Sequence, residues 1–151
     1  MNVSHSELEH SLGDLLPRVI EDCDSLLKLE RLSGGASQET YRITIASTEG
    51  DRLLAMRRAA GGEEGEITAQ HPGLAVEALL MQVARAQGVP EPKVHYVLQP
   101  QDGIGAGFIM QWLEGEALGA RIVKAPELDV VRPQLARMFG VTLARIHSID
   151  L

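Results

Sequence analysis

The sequence predicts an α+β fold: a five-stranded, mainly antiparallel sheet with one helix laid across it, and further helices at the N- and C-terminal ends. Three patterns lead there. Short runs of period-2 alternation recur between glycine-containing turns, a single long amphipathic segment separates the third run from the fourth, and apolar residues spaced by three and four occupy both ends of the chain.

Residues 4 to 30 begin helically, with Leu8, Leu12, Leu15 and Leu16 on one face before Pro17, which is expected to interrupt the helix. L-L-K-L-E-R-L from Leu26 is the first strand. The glycine pair Gly34-Gly35 leads into a second strand in which Tyr41, Ile43 and Ile45 face one side and Thr40, Arg42 and Thr44 the other. Glu49-Gly50-Asp51 is a turn, and the third strand places Leu53, Ala55 and Arg57 opposite Leu54, Met56 and Arg58. G-G-E-E-G-E-I-T-A-Q-H-P-G is a loop whose Glu63, Glu64 and Glu66 read as solubilising charge, and Pro72 suits the first turn of the helix that follows. That helix ends at Gly88, with Pro90 and Pro92 preventing its continuation. K-V-H-Y-V-L-Q and A-G-F-I-M-Q-W-L are the fourth and fifth strands. The final helix carries Leu135, Met138, Phe139, Thr142, Leu143 and Ile146 on one stripe, which either folds back on the sheet or has its partners outside this chain.

The 151 residues fit one domain or one lobe of something larger. A net charge of -7 argues against non-specific binding to nucleic acid or to an anionic membrane, so any phosphate must be met locally. Cys23 is alone, which leaves no intrachain disulfide and no cysteine-built metal site. The opening M-N-V-S-H-S-E-L-E-H lacks the basic and apolar regions of a signal peptide, and a cytoplasmic protein is expected. His5 and His10 are expected to be solvated; His95 reads as a packing or surface residue and His147 as a partner of a helix C-terminus.

The chemistry-bearing stretch runs from Leu32 to Ala59. A glycine-rich loop stands over a strand on which the small Ala55 and the cation Arg57 share a face, an arrangement that suits a nucleotide. A glycine pair alone is most often only a turn. Glu77 sits beside or within the apolar stripe of Leu74, Leu80, Met81 and Ala84. Inside the stripe it needs a cation, of which Arg57 is the nearest plausible one; at the stripe's edge it reaches water, alone or with Arg85.

The order of L-S-G-G-A-S-Q-E-T-Y-R, L-L-A-M-R-R-A, A-V-E-A-L-L, G-V-P-E-P-K-V and F-I-M-Q-W-L-E-G-E resembles the small lobe of a protein-kinase-like phosphotransferase, more narrowly the aminoglycoside and choline kinase-like family. The resemblance covers nearly everything from about Leu26. It implies a helical leader at 1–25, a nucleotide-binding small lobe at 26–115, and a linker with the first large-lobe helices at 116–151. It places Ser33, Gly34, Gly35, Ala36 and Ser37 over the triphosphate of ATP, Arg57 on the α and β phosphates, and Glu77 as the carboxylate holding Arg57. The peptide groups of Gln111 and Leu113 meet the adenine edge, Met110 is the gatekeeper, and Ala55 lies against the ring.

Arg57 departs from the family's usual lysine, although a planar guanidinium fork still holds phosphate oxygens. The H-G-D-type base, its asparagine and the magnesium-binding aspartate have no counterpart in these residues, so magnesium is expected only with a large lobe. The resemblance thus implies the ATP-binding lobe of an enzyme that phosphorylates a small-molecule hydroxyl, inactive by itself and prone to self-association through its last helix. The rivals are a non-catalytic nucleotide-binding module and a structural interaction domain.

Overall fold

The computed structural model describes residues 4–32 and 38–150. The elements are α1 (His5–Val19), β1 (Ser25–Leu32), β2 (Gln38–Ala46), β3 (Arg52–Ala59), α2 (Leu74–Ala86), β4 (Val94–Val97), β5 (Gly107–Gln111), α3 (Gly119–Lys124) and α4 (Arg132–His147). The strands form one five-stranded sheet in the order β1-β2-β3-β5-β4, every pairing antiparallel. The α+β small-lobe architecture expected from the sequence is therefore present.

α1 starts with a reciprocal cap: the Glu7 amide donates to Ser4 Oγ at 3.3 Å and the Ser4 amide to Glu7 Oε2 at 2.8 Å. Pro17 does not stop it. The proline lies inside the last turn and the helix continues to Val19 before Ile20 turns extended. Leu8, Leu12, Leu15 and Leu16 are buried against Tyr41, Ile43, Ile45, Leu54, Met56 and Ile109. Burying each leucine is worth about 2 kcal/mol before chain entropy, so the leader helix is a wall of the main core. His5, although exposed, lays its ring 6.4 Å from that of Tyr41, so it is less detached than its solvated reading suggested.

Pairing across the strands separates the two faces. Tyr41, Met56 and Ile109 stand in one row under α1; Thr40, Arg57 and Phe108 stand in the next row on the opposite face. There α2 inserts Leu74 and Ala78 against Ala59, Val94 and Phe108. One helix thus covers each face of the sheet.

The last helix does not fold back onto the sheet. Met138, Phe139, Leu143 and Ile146 are exposed, and α3 and α4 contain no buried residue. Arg145 Nη1 ties α4 to the carbonyl of Gly88 at 2.7 Å.

Candidate functional site

β3 is the central strand, and its alternation decides what each of its residues can do. Arg57 projects to the α2 face because Phe108, its partner on β5, does. Glu77 comes from the first turn of α2. The two meet: Arg57 Nη1 lies 2.6 Å from Glu77 Oε1, with 41% of the arginine side chain and 30% of the glutamate side chain exposed. Arg85, the other partner considered for Glu77, instead donates to the carbonyl of Glu91. A pair this wet contributes little stability, up to about 1 kcal/mol. Its consequence is positional, since it holds a guanidinium in place with N–H donors still open to solvent.

Two neighbours sharpen that placement. Gln38, the first residue of β2, accepts from Arg57 Nε through Oε1, so both edges of the guanidinium are held. The start of α2 is held in turn by Glu64, whose Oε1 accepts the Leu74 amide beside Gly73, a residue at φ +86°. Glu64 is therefore a cap supplied from the preceding loop, not merely solubilising charge, and it places a carboxylate at the positive end of the helix. Pro72 stands ahead of the cap, outside the first turn. A cleft of about 470 Å³ opens here, lined by Gln38, Ala59, Glu64, Ile67, Leu74 and Glu77.

Farther along the same face Ala55 is buried and pairs with Met110, which is partly exposed. The Gln111 amide donates to the Lys93 carbonyl at 2.8 Å, so that amide is already engaged within the protein. Leu113 is exposed, and its peptide groups make no hydrogen bond among the described residues. Arg42 stands across from Ala55, paired to Glu30 at 2.7 Å and 5.8 Å from the centre of the Trp112 ring. Ser33, Gly34, Gly35, Ala36 and Ser37 lie outside the described residues.

Sequence reasoning missed the cluster directly behind this site. Arg58 and Glu39 are buried on the α1 face, 2.6 Å apart through Nη1 and Oε2. Tyr41 Oη donates to the same carboxylate at 3.1 Å, the Gly61 amide and Arg31 reach its other oxygen, and Arg58 Nε donates to the Ile104 carbonyl at 2.6 Å. Burial pushes the Glu39 carboxyl up, but Arg58, Tyr41 and the Gly61 amide pull harder, and the net shift is downward. Burial and the bond to Glu39 push the Tyr41 hydroxyl up. Glycines make room: a Cβ on Gly62 would stand 2.5 Å from Arg58 Nη2, and one on Gly105 2.3 Å from the Gly62 carbonyl oxygen. The signal lay in the alternation itself, which puts Glu39 in line with Tyr41 and Ile43, and Arg58 in line with Leu54 and Met56.

The model of the phosphotransferase enzyme family, APH, matches residues 28–151. The chain belongs to this family. No curated protein matches it. The APH match begins inside β1 and takes in β2 to β5, α2 and α4, so the Arg57–Glu77 pair and Leu113 lie within the matched residues. Phosphotransferase activity and a kinase-like enzyme are thereby supported for the family at large. Among the described residues no group of three His, Cys, Asp or Glu side chains is placed to hold a metal ion, and no helix is long and apolar enough to cross a membrane.

Proposed function

We propose that this APH chain is the ATP-binding lobe of a phosphotransferase acting on a small-molecule hydroxyl. The observation that carries the reading is the Arg57–Glu77 pair at 2.6 Å: a guanidinium fixed at one edge by α2 and at the other by Gln38 keeps donors available for phosphate oxygens. The residues fit the group in other respects. Ala55 presents no bulk on the face where a base would lie, and Leu113 offers unbonded peptide groups to its edge. ATP supplies the transferable γ-phosphoryl group; Arg57 binds and orients its phosphates, and Glu77 and Gln38 hold Arg57 for that task.

These residues position but do not activate a hydroxyl, so the chain by itself is expected to bind nucleotide without turning it over. The acceptor, a large lobe with magnesium, and a cytoplasmic location belong to the same proposal. The test is calorimetric titration of ATP with and without magnesium, repeated on Arg57→Ala and Glu77→Ala, beside a coupled phosphotransfer assay. The reading expects Arg57→Ala to weaken ATP by about tenfold or more, the loss of one charge-assisted contact. Absence of binding to the parent chain favours a structural interaction domain, and robust turnover overturns the division of labour. The exposed Met138, Phe139, Leu143 and Ile146 face adds self-association at high concentration, which sedimentation measures and a strictly monomeric chain refutes.

A further inference from the structure

A second cavity, of about 370 Å³, opens where β3 begins and β5 ends, lined by Arg52, Arg85, Lys93, His95, Gln111 and Trp112 among others. Its charge runs against that of the chain, which is -7 overall. Most arginines near the sheet are tied to carboxylates: Arg31 and Arg58 to Glu39, Arg42 to Glu30, Arg57 to Glu77. None of the three cations around this cavity has an ion-pair partner among the described residues. Arg52 donates through one nitrogen to the Glu21 carbonyl and Arg85 through one to the Glu91 carbonyl, which leaves most of each five-donor fork unused. The Lys93 ammonium makes no bond among the described residues, and its side chain is exposed.

We infer that this cavity is an anion site that takes the dianion of a phosphate or phosphate monoester, away from the Arg57–Glu77 cleft and sharing with the nucleotide reading only Gln111 at the adenine edge. Two guanidinium forks and an ammonium converging on one cavity give the donor geometry that phosphate oxygens accept. The volume lies within the range of small-molecule sites, and Trp112 and Gln111 form a wall against which the organic part of an ester can rest. The site reports on itself through His95. Its imidazole is held below the ordinary value first by burial and then by Lys93, Arg52 and Arg85, against which Glu21 acts in the opposite sense. A dianion among those cations reverses part of that effect and lifts the imidazole pKa.

The experiment follows the imidazole proton resonances of the full chain during titration with inorganic phosphate and, separately, ribose 5-phosphate, with chloride adjusted to keep ionic strength constant. His95→Gln assigns the signal. The expected result is a saturable upward shift of the His95 pKa, weakened at least about tenfold in Arg52→Ala/Lys93→Ala and unchanged in Arg57→Ala. If the double variant does not fold, the exposed Lys93→Met serves in its place. Tighter binding of the ester identifies a phosphorylated metabolite; equal binding identifies the free anion. A shift matched by chloride alone, or one abolished by Arg57→Ala and indifferent to Arg52 and Lys93, overturns the inference. Neither outcome depends on ATP, so failure here leaves the nucleotide reading standing, and the converse holds.

Discussion

Changing Glu39 to Gln keeps the side-chain shape and removes one charge. Arg58 is 1% exposed and its Nη2 already lacks a partner among the described residues, so the guanidinium would remain buried without a counter-charge. Breaking a buried pair in this way costs about 3–5 kcal/mol. Against a total stability of about 5–15 kcal/mol that is a large fraction, and at about 2–4 °C per kcal/mol for a chain of this size it lowers the Tm by about 6–20 °C. Urea and thermal unfolding followed by circular dichroism and by the fluorescence of Trp112, the single tryptophan, measure it. A double variant, Glu39→Leu with Arg58→Met, removes both charges and should recover much of the loss. The sign with pH follows from the carboxyl. Its folded pKa is depressed, so its contribution is complete above the unfolded carboxylate value and fades as pH falls through the folded one. The gap between parent and Glu39→Gln should therefore narrow on acidification. A loss below about 1 kcal/mol at neutral pH, or a double variant worse than either single one, refutes the reasoning.

Gly105→Ala forces a Cβ to 2.3 Å from the Gly62 carbonyl oxygen at φ +88°, and should destabilise by about 2 kcal/mol or more, whereas Gly88→Ala, at φ +79° but in open space, should cost only about 1–2 kcal/mol; thermal unfolding compares them. Leu12→Ala empties a fully buried position between α1 and the sheet and should cost about 2–5 kcal/mol in urea unfolding. Glu64→Gln removes the carboxylate at the start of α2, which should cost about 0.3–1 kcal/mol overall and speed amide exchange at Leu74 and its successors in the first turn.

Much of this was legible because β2, β3 and the apolar faces of α1 and α2 obey simple periods. Burial alternates along β2 as the residue pattern demands, and Arg57 and Glu77 stand where a period of two on a strand and of 3.6 on a helix bring them together. What stayed hidden was non-local. Nothing in G-E-E-G-E says that its second glutamate receives the amide of Leu74, because that depends on where the loop crosses the helix end. Pro17 misled for an energetic reason: near the end of α1 the ring removes one hydrogen bond, while Leu15 and Leu16 bury their side chains around it. The exposed stripe of α4 was visible in sequence, but periodicity describes a face without naming what covers it.

The sheet divides its two duties between its faces, and β3 is where they meet. Arg57 and Arg58 are adjacent in sequence and chemically identical, yet the pleat sends one to a half-open pair with Glu77 and the other to a buried pair with Glu39. The exposed pair adds little to stability but leaves donors free, which a binding residue needs. The buried pair leaves none accessible, and it ties the ends of β1, β2 and β3 around one carboxylate through Arg31, Tyr41, Arg58 and Gly61. A one-residue slip of β3 that carries Arg58 to the place of Arg57 would move Arg57 to the buried place of Met56, without a carboxylate, and leave Glu39 without Arg58. The Arg58–Glu39 pair therefore opposes that slip, and so holds the register on which the position of Arg57 depends.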